Sequence, residues 1–241
     1  MTALIIIPAR MASTRLPGKP LADIAGQPMI AHVLRAAEAA KAGPVLVACA
    51  ENEIKQAVEQ AGGRAVLTDP DLPSGSDRVR QAADRFDPAQ DFDIVVNVQG
   101  DMPTLAPELV ETIIQPLLDD LDLDMVTAAV ETSDPREISD PNVVKAIVSS
   151  SGRALYFTRA AAPSGNGPVL HHLGVYAYRR AALNHFCDMP PSQLELRERL
   201  EQLRALEAGM SIHVCLVDAA PHGVDTETDL ARARAMLGHI S

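Results

Sequence analysis

Hydrophobic positions along the first 130 residues alternate between short unbroken runs and longer stripes at helical spacing. Residues 4–8 are an aliphatic run closed by a proline, the pattern of a strand buried in a parallel sheet. Residues 28–41 put Met29, Val33, Ala36 and Ala40 at helical spacing and stop at Gly43-Pro44, which predicts a helix. The same reading gives strands over 45–49, 65–68, 93–98 and 125–130, and helices over 51–61, 76–86 and 107–121, the last with Pro116 inside it. This β-α rhythm predicts a mostly parallel sheet with helices on both faces, an α/β fold. Beyond Asp134 the texture changes. Residues 143–149, 155–160 and 173–179 read as strands joined by loops, so a small antiparallel lobe is expected over roughly 134–192 of a single 1–241 domain. One amphipathic helix is expected over 193–208, with Leu196, Leu200 and Leu203 on a stripe. A strand over 212–217 and a helix over 227–237 close the chain.

Composition narrows the function classes. The chain has 241 residues, 21 Lys+Arg against 32 Asp+Glu (net charge −11), no Trp and only 3% aromatic residues. That argues against a duplex-binding surface and against stacking platforms for single strands. No apolar run approaches the length of a membrane span, and the first residues carry no basic, signal-like region. Cys49, Cys187 and Cys215 lie far apart without a CxxC pair, so a reducing cytoplasm is expected rather than a disulfide framework.

Four segments carry candidate chemistry. Pro8, Ala9, Arg10, Arg15 and Lys19 lie in the loop after the first strand, where ligands of open α/β sheets bind. Cations among small residues can hold a polyphosphate there, although neither Walker A nor GxGxxG is present; the other reading is a solvated connector. Asp101 follows a central strand, placed to hold Mg²⁺ or, alternatively, to make an Asx turn or cap the next helix. Asp225 precedes a Thr-and-acid helix entry and is open to both a metal and a structural role. Ser74, Gly75, Ser76, Asp77 and Arg78 combine small residues with a guanidinium, or form a helix cap at Ser76 with Arg78 on the surface. His171 and His172, adjacent on a strand, point to opposite faces; core or surface is their default place. Glu201 and Gln202 read by default as a solvated helix face.

Taken in order, Ile-Pro-Ala-Arg-x-x-Ser-Thr-Arg-Leu-Pro-Gly-Lys-Pro-Leu (7–21), Ser-Gly-Ser-Asp-Arg (74–78), Val-Asn-Val-Gln-Gly-Asp (96–101), Ala-Leu-Tyr-Phe-Thr-Arg (154–159), His-Leu-Gly-Val-Tyr (172–176), Glu-Gln-Leu-Arg (201–204) and Gly-Val-Asp-Thr (223–226) resemble the 3-deoxy-manno-octulosonate (Kdo) cytidylyltransferase family. The resemblance spans nearly the whole chain. It implies a Rossmann-like, three-layer nucleotidyltransferase fold, transfer of CMP from CTP to the anomeric 2-hydroxyl of Kdo, Mg²⁺, a homodimer without nucleic-acid or membrane partners, and a place in lipopolysaccharide precursor synthesis. Carried over by position, Arg10, Arg15 and Lys19 would hold the phosphates, with Pro8 and Ala9 beside them. Residues Ser74 to Arg78 and Gln99 would line the cytidine pocket. Asp101 and Asp225 would ligate the metal, and these two with Arg15 and Lys19 form the catalytic set. Gln99, Arg159, His172, Tyr176, Glu201 and Gln202 would bind the sugar acid. Two departures stand out: Met102 occupies the family's usual Glu position, and the loop 163–170 is short. They leave the 8-amino analogue of Kdo, or a sialic-acid-like substrate, as the alternative; a non-catalytic nucleotide-binding module is the rival from another class.

Overall fold

In a computed structural model that describes residues 3–13 and 15–238, the chain runs β1 (Leu4–Ala9), a 3-10 turn (Lys19–Leu21), β2 (Asp23–Ile24), β3 (Gln27–Pro28), α1 (Met29–Ala39), β4 (Val45–Cys49), α2 (Asn52–Gln60), β5 (Ala65–Leu67), α3 (Gly75–Phe86), β6 (Ile94–Asn97) and α4 (Pro107–Asp119). It continues with β7 (Met125–Thr132), α5 (Pro135–Ser139), β8 (Lys145–Val148), β9 (Ala154–Thr158), β10 (Val169–Arg179), α6 (Arg180–Asp188), α7 (Gln193–Glu198), α8 (Gln202–Glu207), β11 (Ile212–Val217) and α9 (Glu227–Leu237). Thr14 of the first motif lies outside the described residues. Two compact units emerge: residues 1–111 with 221–241, and residues 112–220.

In the first unit β1 is the spine. It pairs in parallel with β6 on one side and β4 on the other, and β4 pairs in parallel with β5. Leu4, Ile5, Ile6 and Ile7 are wholly buried, as aliphatic strands covered on both faces must be. A parallel ladder gathers the carboxyl ends of its strands at one edge, so Ala9, Cys49 and Asn97 come out together. A second cluster joins Leu16, Ile24 and Met29 to Val224, Leu230 and Ala233 of the chain's end. It fastens the loop after β1 and the entry of α9 to the same floor.

In the second unit β7 pairs in parallel with β11 and antiparallel with β10. Strand β10 also pairs antiparallel with β8, and β8 with β9. The expected antiparallel element is thus present, with α5 and α6 as helical turns that the texture after Asp134 did not predict. The expected single helix over 193–208 is two. Arg199 turns left-handed (φ 57°, ψ 48°) and ends α7. The break takes Leu196 off the stripe: it is 66% exposed, whereas Leu200 and Leu203 are buried. What Arg199 interrupts is compensated locally, because Arg204 reaches back to Glu195 with two bonds at 2.6 and 2.8 Å and lies over Phe186. No described helix is long and apolar enough to cross a membrane.

Candidate functional site

A cleft of about 660 Å³ opens at the carboxyl edge of the first unit's strands, lined by Pro8, Arg10, Arg15, Lys19, Ser74, Gly75, Arg78, Gln99, Asp101 and Asp225 among others. Its walls come together by backbone fit. Gly100 lies so close to the end of β1 that a Cβ there would meet the Pro8 carbonyl oxygen at 2.6 Å. Only glycine lets the turn carrying Gln99 and Asp101 settle against the Pro8 loop. Gly18, at φ 70°, closes that loop in the left-handed region, and its N–H donates to the Met11 carbonyl at 3.2 Å.

The far end of the chain is fastened alongside. The Val224 N–H donates to the Asp101 carbonyl at 2.9 Å, and the His222 N–H donates to Thr104 Oγ1 at 2.7 Å. Thr226 caps α9 and exchanges bonds with Asp229 in a capping box. The cap duty therefore falls on Thr226, and the Asp225 carboxylate is left for the cleft.

There the Lys19 ammonium donates to Asp101 Oδ2 at 2.8 Å and to Asp225 Oδ1 at 3.1 Å, while Arg15 pairs with Asp225 at 3.0 Å. Burial alone would lower the Lys19 pKa, but the two carboxylates outweigh it and the pKa is raised. Lys19 is a permanent cation here. Two carboxylates converging on one cation are a set of hard oxygen donors that suits Mg²⁺, which takes one or two protein carboxylates plus phosphate oxygens.

Ser74, Gly75 and Arg78 line the cleft, whereas the alternative reading of a Ser76 cap with Arg78 on the surface does not hold. The helix cap is Ser74, whose Oγ accepts from the Asp77 N–H at 3.2 Å and donates to Asp77 Oδ2 at 2.8 Å. Ser76 is buried rather than capping, and Arg78 is 2% exposed rather than on the surface. Arg78 donates to Thr68 Oγ1 and to the carbonyls of Asp69 and Pro70. Desolvation, followed by repulsion from Arg10, pulls its pKa down. It braces the 68–70 loop and lends its charge to the cleft. Gln99 Nε2 reaches Asn97 Oδ1 at 3.5 Å, a weak tether.

Of the residues expected to take the sugar acid, Gln99 lies in the first unit, and Arg159, His172, Tyr176, Glu201 and Gln202 lie in the second. Arg159 directly follows β9, with Nε donating to the Glu198 carbonyl at 2.9 Å, Nη1 to the Pro141 carbonyl at 2.9 Å and Nη2 to the Arg199 carbonyl at 3.4 Å. The rings of His172 and Tyr176 are 5.6 Å apart. Burial, and then the Glu201 charge, drive the Tyr176 hydroxyl pKa far up. The Thr127 hydroxyl has one proton and faces two carbonyls and His172 Nε2 at 2.9 Å. Nε2 is accordingly the donor in that contact. Burial, with His171 adding repulsion, pushes the His172 pKa down to about 3, so the ring is neutral. Contrary to the solvated-face expectation, Gln202 is buried with no partner for Nε2 among the described residues, and Glu201 is half-buried.

A family profile described as cytidylyltransferase matches residues 4–212. A 3-deoxy-manno-octulosonate cytidylyltransferase of Rhodospirillum rubrum is 59% identical over 240 residues, covering 98% of this chain and 95% of that one. One from Parvibaculum lavamentivorans is 58% identical over 242 residues, covering 99% and 93%.

The chain belongs to the 3-deoxy-manno-octulosonate cytidylyltransferase family.

A solved structure of CMP:2-keto-3-deoxy-manno-octonic acid synthetase complexed with CTP agrees. It is 39% identical, superposes with a TM-score of 0.94 and covers all of both chains. A 4-diphosphocytidyl-2C-methyl-D-erythritol synthase from Anaerococcus prevotii, 14% identical at a TM-score of 0.65, shares the fold. Within this cytidylyltransferase chain, three residues outside the family motifs prove to organise the site regions. Glu198 accepts from the Thr158 hydroxyl at 3.0 Å and the Arg159 N–H at 3.0 Å. Lys145, fully buried, donates to the carbonyls of Asp140, Val143 and Arg159. Glu51 binds the Met11 N–H at 3.0 Å. Only Glu51 left a trace in the sequence, as a glutamate where a helix ordinarily starts on Ser, Thr, Asp or Asn.

Proposed function

We propose that the cleft of the first unit binds CTP and that the chain transfers its CMP moiety to the anomeric 2-hydroxyl of Kdo, releasing pyrophosphate. The observation that carries this is Lys19 gripping Asp101 and Asp225 in a cleft whose other charges are Arg10, Arg15 and Arg78. A protein of net charge −11 has gathered four cations against two carboxylates where a polyphosphate fits. Attack at a phosphate needs positioning and charge neutralisation more than covalent help. Arg10 and Arg78 hold the triphosphate. Lys19, whose pKa is raised, and Arg15 offset charge growing on the α-phosphate and on the leaving pyrophosphate. Gln99 and the backbone around Ser74 read the cytosine edge.

Asp101 and Asp225 would hold Mg²⁺; when bound there it supplies Lewis-acid polarisation and charge neutralisation. In the second unit, Arg159 takes the sugar acid's carboxylate through guanidinium protons left over from its three carbonyl bonds. Glu201, Gln202, His172 and Tyr176 present polar groups to the hydroxyls. His172, neutral and held by Thr127, serves as an orienting group rather than as a base. We place the chain in the cytoplasm, where the three thiols remain free, as a homodimer supplying CMP-Kdo to lipopolysaccharide precursors, as family membership suggests.

Pyrophosphate release tests the reading. It should require CTP and Kdo together; equal release with Kdo omitted, or none with both present, would overturn it.

A further inference from the structure

The loop carrying Arg10, Arg15 and Lys19 is held from behind by a residue that does not line the cleft. Glu51 opens α2 in an extended conformation (φ −116°, ψ 146°), yet its side chain does not cap that helix. Instead Oε1 accepts the Met11 N–H at 3.0 Å across 40 positions of sequence. On its other side, the Met11 carbonyl accepts the Gly18 N–H at 3.2 Å. Met11 is therefore fixed through both its N–H and its carbonyl, immediately after Arg10 and across the loop from Lys19. The second oxygen, Oε2, is buried and makes no hydrogen bond among the described residues. Its charge acts on the buried Arg78, which in turn feels Arg10. Keeping a carboxylate oxygen dry and unbonded is costly. A glutamate kept here at that cost is explained by what its other oxygen does to the loop.

We propose that Glu51 is a positioning residue for nucleotide binding: its carboxylate anchors the loop at Met11, so that Arg10 and Lys19 are arranged for the triphosphate before CTP arrives. The inference rests on the reading of residues 8–19 as the phosphate loop. A loop ordered in advance pays less conformational entropy on binding. Glu51 touches no reacting atom, so its removal should cost nucleotide affinity and spare the chemical step.

The test compares Glu51→Ala, Glu51→Gln and Arg10→Ala by steady-state kinetics, with amide hydrogen exchange on the peptide containing Met11. Loss of a charge-assisted bond of this kind predicts that Glu51→Ala raises KM for CTP by about tenfold or more, with kcat and KM for Kdo changed by less than about threefold. The Met11 peptide should exchange faster. Glu51→Gln, whose amide oxygen still accepts the Met11 N–H, should recover KM to within about threefold of the parent enzyme. If Glu51→Ala does not fold, Glu51→Asp keeps the charge, shortens the reach by one methylene and should raise KM for CTP in the same way. An unchanged KM for CTP in the folded variant, or a fall in kcat that Gln does not rescue, overturns the proposal. Arg10→Ala separates the two layers. If it leaves KM for CTP unchanged, the loop assignment fails and takes the proposal with it. If Arg10→Ala raises KM and Glu51→Ala does not, only the positioning role fails.

Discussion

The Lys19 ammonium lies 2.8 Å from the Asp101 carboxylate, across 82 positions of sequence. Neither residue reaches the other through regular structure. Lys19 sits in a 3-10 turn after the loop that leaves β1, and Asp101 in the turn that leaves β6. The parallel pairing of β1 with β6, Ile6 opposite Asn97, brings the two turns side by side, and the 223–225 segment adds Asp225 from the chain's end.

Nucleotide choice follows from the polar lining at Gln99. An exocyclic amine donates where uracil's carbonyl accepts, and a mispaired buried polar group costs about 1–3 kcal/mol. CTP should be used at least about tenfold better than UTP in kcat/KM; equal values in a competition assay would remove Gln99 and the Ser74 backbone from base recognition.

Gly100→Ala should damage both stability and binding. The added methyl meets the Pro8 carbonyl oxygen at 2.6 Å, and backbone cannot yield as a flexible side chain can. A loss of about 1–3 kcal/mol in denaturant unfolding is expected, with a raised KM for CTP, because the Asp101 turn must move away from the Pro8 loop. An alanine variant with unaltered stability and KM would show that the two turns are not in contact.

The early elements were legible because unbroken Ile and Val runs ended by Pro or Gly admit few other readings. The break at Arg199 was not. Leu196, Leu200 and Leu203 satisfy helical spacing, and nothing in an arginine announces a left-handed turn. Ser74 and Ser76 are equally good caps by residue type; in the fold Ser74 takes the cap and Ser76 is buried. At the site, Arg15, Lys19 and Asp101 were legible as charges just past strand ends, where ligands of α/β sheets bind. Asp225 could not be separated from a helix-entry residue until Thr226 was seen to take the cap. Glu51 acts through one bond to distant backbone, and Lys145 and Glu198 through several bonds to neighbouring loops and strand ends; none of these leaves a periodic trace.

Arg199→Gly follows from the same left-handed residue. At φ 57° and ψ 48° a side chain costs roughly 1–2 kcal/mol that glycine does not pay, offset in part by glycine's greater freedom in the unfolded chain. The net gain should be under about 1 kcal/mol, a rise of up to a few degrees in Tm, with kinetic constants unchanged. A fall in Tm would mean that the Arg199 side chain contributes more than its backbone strain costs.

Stability should depend on pH through His172. Its pKa is near 3 in the fold against about 6.5 unfolded. Between those values the unfolded chain binds a proton that the folded one does not. The contribution is complete above pH 6.5 and is lost as pH falls toward 3. His172→Gln should flatten the acid limb of a chemical-denaturation series over that window, and kcat should show no ionisation of His172 between pH 5 and 8. An unchanged slope in the variant would place the acid sensitivity elsewhere.

The most direct test of the Lys19–Asp101–Asp225 cluster as the reaction centre is steady-state pyrophosphate release by Asp225→Asn at saturating CTP and Kdo, with Tm measured on the same preparation. Asp225 is 45% exposed at its side chain, so its ion pairs contribute at most about 1 kcal/mol to folding, and Tm should scarcely move. Loss of one oriented charge at the phosphates should lower kcat by about 10²–10³. Asp101→Asn should match it, and the double variant should be far less than multiplicatively worse, because the pair acts as a unit. Near-normal kcat in Asp225→Asn at unchanged Tm would contradict the account and leave Asp225 as a structural partner of Lys19 and Arg15.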